Sequence, residues 1–287
     1  MAGPLAVAAI TLDFGNTLVR VDRASLRGVV EETAGTLANR GVVRDRGSFL
    51  SVWVEERERQ FREEVPELRE VDIAQRAVRV LARTRGMEPP PPEVRWDDAA
   101  AAARVEQGEV DEVVGAYSAA FVQRMTPVAD AAATLERLSS RGFTLAILSN
   151  WPLGLTIDRF AEAHGWTRWL RAIVVSQRVG TIKPHPAIFR AAEEALGIPE
   201  SERTQILHVG DDWAADVGGA RKAGWRVAYL RGRQLDTPLP TSEPGDDLEL
   251  DDPVVPDLEI DELAELDALV ELVGAGAGHA PGAVPTG

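Results

Sequence analysis

Val7-Ala8-Ala9-Ile10-Thr11-Leu12-Asp13-Phe14-Gly15-Asn16-Thr17-Leu18 is an apolar, strand-like run that ends on a carboxylate, a glycine and two polar side chains. Val7–Phe14 shows no polar alternation, which suits a strand buried on both faces, as in a parallel sheet. Runs of the same kind recur at Phe143–Leu148, Ala172–Ser176, Gln205–Val209 and Arg226–Leu230. Between them, Ala131–Arg141, Ala187–Leu196 and Trp213–Ala223 have helical spacing. Gly142, Gly197 and Gly224 follow these helices where a C′ glycine belongs, and Asp130 stands as an N-cap before the first. Strand, helix, glycine, strand, repeated, predicts a Rossmann-like, doubly wound α/β sheet. A sixth unit is expected at Asp257–Ile260, followed by a helix over Asp261–Val273 with Leu263, Leu266, Leu269 and Val273 on one face.

Residues 22–126 break this rhythm. They lack strand-like runs and carry helical patterns near Ala24–Arg40, Gly47–Glu64, Val71–Arg85 and Gly108–Gln123, with Pro89–Pro92 as a stiff connector. The expected organisation is a discontinuous α/β core, residues 1–21 and 127–273, interrupted after its first strand by an all-helical insert at 22–126. Gly232–Pro256, with five prolines and many carboxylates, reads as an acidic surface loop, and 274–287 as a disordered tail.

The 287 residues contain no cysteine, which removes disulfides, thiolate metal sites and cysteine nucleophiles. The formal charge is −15, and its distribution is uneven. No Lys or Arg follows Arg233, and the 14 carboxylates from Asp236 to Glu271 leave residues 1–234 with 31 basic and 32 acidic groups. The acidity therefore says nothing about the sign of a substrate, and reads as solubility or a docking surface for a basic partner. A net −15 argues against a non-specific grip on nucleic acid or anionic membrane, which need a basic face. Without a signal-like start or an apolar run of about 20 residues, a cytoplasmic protein is expected, as monomer or homodimer.

In open α/β sheets the site lies at the carboxyl ends of the strands. Those ends carry Asp13 to Leu18, then Ser149-Asn150, then Gly210-Asp211-Asp212 with Asp216 one helical turn on, and Lys183-Pro184 opens the helix before the last of these. In this order and at these places, the residues resemble the haloacid dehalogenase (HAD) superfamily of hydrolases. The pattern is Asp-x-Asp-x-Thr, a Ser/Thr, a Lys, and Gly-Asp with a later Asp. It matches at Asp13, Thr17, Ser149, Lys183, Asp211 and Asp216 and departs at Gly15, where phosphatases carry a second Asp. The insert is placed like a helical C1-type cap.

The resemblance implies Asp13 as a nucleophile that forms an aspartyl-phosphate on a small phosphorylated metabolite. It implies Mg²⁺ held by Asp13, Asp211 and the backbone carbonyl of Gly15. Ser149 would donate to phosphoryl oxygens and Lys183 would neutralise them. Thr17, Asn150 and Trp151 are expected near the phosphate or substrate, with Asp212 and Asp216 orienting the groups that touch it. Gly15 cannot act as general acid or base, a role typically worth about 10²–10⁴-fold. Three readings stay open: substrates with good leaving groups such as acyl phosphates, a substitute proton donor (Asp22, Asp212, His185), or a phospho-ligand-binding or regulatory protein without turnover. A phosphonate-cleaving branch uses a cap lysine, and residues 22–126 contain none. Metal-free 2-haloacid dehalogenation fits poorly with Asp211, Asp212 and Asp216 together.

Other residues carry less. His185 reads as part of a turn near Lys183, and His208 as a core histidine. Trp53, Phe61 and Trp96 read as core, and Arg20, Arg23, Arg57 and Arg62 as mostly solvated faces able to meet a second anion.

Overall fold

A computed structural model describes residues 3–233, 236–244 and 254–273. The tail at 274–287 and the middle of the acidic loop lie outside the described residues.

The predicted parallel sheet is present. Its strands are β2 (Ala9–Leu12), β3 (Thr144–Ser149), β4 (Leu170–Val175), β5 (Ile206–Gly210), β6 (Arg226–Leu230) and β7 (Leu258–Ile260), in the spatial order β4-β3-β2-β5-β6-β7. Every neighbouring pair is parallel. The chain runs outward from β2 through β3 to β4, then crosses back to place β5 on the other flank of β2. Strand order thus reverses at β2, and a crevice opens at its carboxyl end, where Asp13 follows. Register keeps the strand ends level: Leu12 pairs with Ile147 of β3 and Val209 of β5. The backbone amide of Asp13 continues this pairing, donating to the Val209 carbonyl at 2.8 Å.

The first run is not one strand. It breaks at Ala8 into β1 (Leu5–Val7) and β2, and β1 pairs in parallel with β8 (Val270–Leu272). This also corrects the helix expected over Asp261–Val273. A 3₁₀ turn at Leu263–Glu265 and one helical turn at Leu266–Leu269 lead straight into β8. The open edge of β1 offers backbone partners that the helical spacing of the leucines does not anticipate, and Leu263, Leu266 and Val270 are still buried. Asp130 makes no capping bond and instead accepts from the Ala264 amide at 3.0 Å.

The interposed segment is helical as expected: α1 (Arg23–Asn39), α2 (Arg46–Glu64), α3 (Ile73–Thr84), α4 (Asp98–Ala102) and α5 (Gln107–Arg124). Asp22, Asp45 and Asp72 cap the first three through side-chain bonds to backbone amides. Trp53 stacks between Phe49 and Tyr117 at 5.5 and 5.4 Å between ring centroids. Trp96 is buried, as predicted. Phe14, Phe121 and Trp151 join this helical block to the sheet, with Trp151 edge-on to both phenylalanines. The rest of the core is flanked by α6 (Ala131–Ser140), α7 (Thr156–Ala163), α8 (Ser176–Val179), α9 (Pro186–Leu196) and α10 (Gly219–Lys222). The helix expected over Trp213–Ala223 begins as a π-helical turn at Trp213–Gly218. Among the described residues no helix is long and apolar enough to cross a membrane.

Candidate active site

Four segments bring their polar residues together at the carboxyl end of β2. Lys183 is 2% exposed, and its Nζ donates to Asp13 Oδ1 at 2.8 Å, to Asp216 Oδ1 at 2.6 Å and to the Leu148 carbonyl at 2.9 Å. Thr17 donates to Asp211 Oδ1 at 3.2 Å. One carboxylate oxygen each from Asp13, Asp211 and Asp216 falls within 4.8 Å of the others. Three buried carboxylates and one ammonium therefore share a small volume.

The backbone makes this crowding feasible. Asn16 adopts a left-handed φ of 58°, which turns the chain sharply after Asp13, and its Oδ1 accepts the Val21 amide at 3.2 Å. At Gly210 a β-carbon would lie 2.1 Å from Asp216 Oδ2, so only glycine fits beside that carboxylate. Asp216 is fully engaged: Oδ1 takes Lys183 and contacts His208 Nε2 at 2.9 Å, while Oδ2 accepts the Asp212 amide at 2.9 Å.

The electrostatics follow. Burial raises the pKa of Asp13, more than Lys183 lowers it. Burial, then Asp13, Asp216 and Asp212, hold Asp211 well above the usual carboxylate range. Asp216 is depressed despite burial, because Lys183 and His208 favour its charged form. Burial works against the Lys183 ammonium, but Asp13 and Asp216 outweigh it and raise its pKa. Burial and Asp216 push Asp212 up to about 6. The cluster holds more negative than positive charge, and hard oxygen donors so arranged suit a divalent cation such as Mg²⁺.

Beside the carboxylates, a cavity of about 140 Å³ lies between sheet and helical block. Gly15, Asn150 and Trp151 line it on one side, and Arg57, Arg76 and Tyr117 on the other. Ser149 is buried, and its hydroxyl has no hydrogen-bond partner among the described residues. Thr17 is wholly buried against Asp211, so its hydroxyl holds a carboxylate. Asn150 uses its side-chain amide on the Lys183 backbone, at 2.6 and 3.1 Å. Trp151 is 3% exposed and its indole N–H has no hydrogen-bond partner among the described residues. Asp212 caps the π-helical turn through the Ala215 amide at 2.7 Å. His185 caps α9 through the Ala187 amide, a structural place. Phe61, expected in the core, lines the cavity under Arg57, whose guanidinium stands 4.7 Å from its ring centroid.

A sequence model of the family described as "Hydrolase: haloacid dehalogenase-like hydrolase" matches residues 7–224. The chain belongs to the haloacid dehalogenase-like hydrolase family. It is 32% identical over 160 residues to glyceraldehyde 3-phosphate phosphatase of Methanopyrus kandleri, covering 55% of this chain and 62% of that one. It is 31% identical over 109 residues to ribulose-1,5-bisphosphate 5-phosphatase of Halopiger xanaduensis, covering 38% and 44%. The chain thus matches about half the length of these curated relatives. Among solved structures, 2-haloacid dehalogenase of Pseudomonas syringae pv. tomato superposes with a TM-score of 0.60 at 19% identity, covering 92% and 97% of the two chains. At that identity the likeness speaks for the fold. The family is one of hydrolases, and the two curated relatives described here are named as phosphatases.

Sequence reasoning left three features unseen. His208 is not only a core residue: it links Thr11 Oγ1, 2.8 Å from Nδ1, to Asp216. The signal was there, since the period of a strand puts His208 on the face of Gly210, where Asp216 packs. The second feature is Arg76, masked by its place in an arginine-rich helix. The third is a set of contacts made by the acidic surface loop. Residues 236–244 lie across the site, with Thr237 accepting from Asn16 Nδ2 at 3.2 Å and Leu239 packed against Gly15. Ser242 donates through Oγ and N to Asp212 at 2.7 and 3.1 Å, and the Pro238 carbonyl accepts from Arg57. This segment has no apolar periodicity, so nothing in its sequence signals burial.

Proposed function

We propose that this chain is a Mg²⁺-dependent phosphohydrolase that acts on a small phosphorylated metabolite through Asp13, with the helical block serving as its cap. The observation that carries this reading is Lys183 bridging Asp13 and Asp216 beside Asp211, in the lining of the cavity. Relatives named as phosphatases support it.

An Asp13 carboxylate oxygen attacks phosphorus, the bond from phosphorus to the leaving oxygen breaks, and the leaving group departs with the electron pair. Water then attacks the aspartyl-phosphate, gives up a proton, and releases inorganic phosphate with Asp13 restored. Lys183 offsets the anionic charge and fixes Asp13, and the Ser149 hydroxyl is placed to donate to a phosphoryl oxygen. Asp13, Asp211 and the Gly15 carbonyl would hold Mg²⁺, which supplies positive charge against the phosphoryl group. Asp216, with both oxygens already engaged, positions Lys183 instead.

Gly15 donates no proton to the leaving oxygen, so good leaving groups such as acyl phosphates are favoured over simple alkyl esters. Acetyl phosphate turnover with Mg²⁺, lost on chelation and in Asp13→Asn, is the expected result. No turnover of acetyl phosphate or p-nitrophenyl phosphate under these conditions would sink the reading.

A further inference from the structure

The wall of the cavity formed by the helical block carries two arginines, Arg57 and Arg76, that make no ion pair among the described residues, with Glu70 and Glu56 acting on Arg76 only from farther off. Arg76, on α3, is 3% exposed; its Nε donates to Gln60 Oε1 at 2.8 Å, and its guanidinium stands 5.3 Å from the Trp53 ring centroid. Among the described residues no carboxylate lies within 4 Å of Arg76 or of Arg57. The same helix shows the contrast. Arg79 pairs with Glu63 and Asp98, and Arg83 with Glu55 and Glu56. Glu70 lines the same cavity, but its oxygens are taken by the Ser176 hydroxyl and, at 2.8 Å, by the Val71 amide. The Tyr117 hydroxyl beside them makes no hydrogen bond among the described residues.

A buried guanidinium without a counter-charge is costly and persists where something else compensates it. Its planar fork of donors matches a carboxylate or phosphate in two parallel hydrogen bonds, a geometry a lysine does not offer. The two sides of the cavity therefore differ in sign. The sheet side holds the carboxylates and Lys183, and the helical-block side holds Arg57 and Arg76.

We propose that Arg76, assisted by Arg57, binds a second anionic group on the substrate, so that the substrate is a short molecule with a phosphoryl group at one end and a carboxylate or second phosphate at the other. This inference rests on the phosphohydrolase reading for the identity of the first group. A cavity of about 140 Å³ holds roughly a benzene-sized molecule, which leaves room for only a few carbons between the two ends.

Calorimetric binding of non-hydrolysable probes tests this without relying on turnover. Phosphonoacetate carries a phosphonate and a carboxylate, ethylene-1,2-diphosphonate two phosphonates, and methylphosphonate a single one. In Mg²⁺ buffer the native protein should bind at least one two-headed probe about 10–100-fold more tightly than methylphosphonate, as expected for charge-assisted bonds to a buried arginine. The tighter of the two identifies the second group. Arg76→Gln should erase that gap, and Arg57→Gln should narrow it. Arg76→Lys, which keeps the charge but not the fork, should retain only part of it and covers the case in which the glutamine variant fails to fold. No gap in the native protein, or a gap unchanged in folded Arg57→Gln and Arg76→Lys, overturns the proposal. Acetyl phosphate hydrolysis is measured alongside: a gap without turnover leaves the subsite standing and removes the hydrolase reading, and turnover without a gap does the reverse.

Discussion

Leu239 Cδ1 lies 2.9 Å from the point that a β-carbon on Gly15 would occupy. Residue 15 and residue 239 are thus fitted to each other across more than two hundred positions of sequence. The space that a side chain at residue 15 needs is filled by a methyl group from the acidic segment.

Installing an aspartate at residue 15 therefore collides with that methyl group. Gly15→Asp alone should cost about 1–3 kcal/mol of stability in urea unfolding, the usual range for overpacking. Combined with Leu239→Ala, it should recover part of that loss, a non-additivity that marks direct contact. The double variant should also gain turnover of a simple alkyl phosphate such as glycerol 2-phosphate by about 10²-fold, the lower end for general acid assistance. Strict additivity of the two stability changes would remove the steric account.

The segment over the site should matter for activity. Ser242→Ala removes the hydroxyl that Asp212 accepts at 2.7 Å and the bond to the Ala214 amide at 2.6 Å. Replacing 237–242 by a short glycine-serine link removes these and the Leu239 contact together. Steady-state assays should show a drop of about tenfold or more for the replacement, in the range seen when supporting contacts to a site are lost. Unchanged kinetics would return these residues to the status of a surface loop.

His208 should act on the chemistry through Asp216. His208→Phe keeps the bulk but removes the 2.9 Å contact. A fall of about 10–100-fold in kcat or in apparent Mg²⁺ affinity is expected, with little change in KM for acetyl phosphate. A variant that loses only thermal stability would make His208 a packing residue.

Glu70 gives stability a pH dependence of definite sign. Burial lifts its pKa from 4.5 to about 7. Between those values the native state binds more protons than the unfolded chain, so stability is fully present below about 4.5 and declines as pH rises towards 7. Denaturant unfolding at pH 5 and pH 7 should show a smaller decline in Glu70→Gln than in the native protein. Equal declines would place the titration on another group, of which Asp212, lifted to about 6, is the first to test.

Much of this was legible in the sequence, for specific reasons. Unalternated apolar runs mark strands covered on both faces, and Asp13, Ser149 and Asp211 stand at the ends of three of them, where a parallel sheet opens its crevice. Lys183 was legible because it stands where the resembled family's pattern carries a lysine, just before a helix at that edge, and only two lysines exist. What escaped depends on pairing between distant segments. Val270–Leu272 continues a helical spacing in sequence but takes strand geometry because Leu5–Val7 offers it an edge. Thr237 and Leu239 look like loop residues until Asn16 and Gly15 are placed beneath them. Arg76 is one arginine among many, and what sets it apart among the described residues is burial without an ion pair, which its sequence neighbours do not reveal.

The segment that crosses the site is fastened at both ends of its reach. Asp236 accepts the Arg23 amide at 3.0 Å and faces its guanidinium at 3.5 Å, Pro238 holds Arg57, and Ser242 holds the turn after Asp211. The helical block and the sheet are consequently tethered through a third element as well as through the packing of Phe14, Phe121 and Trp151. Parting them far enough to exchange a bound molecule would require Arg23 and Arg57 to release that tether, and on the proposed hydrolase reading this release would slow product escape. Because Arg23 and Asp236 are both well exposed, salt would weaken that latch by screening. Asp236, the first of the late acidic residues, would then help to set how readily the helical block and the sheet part.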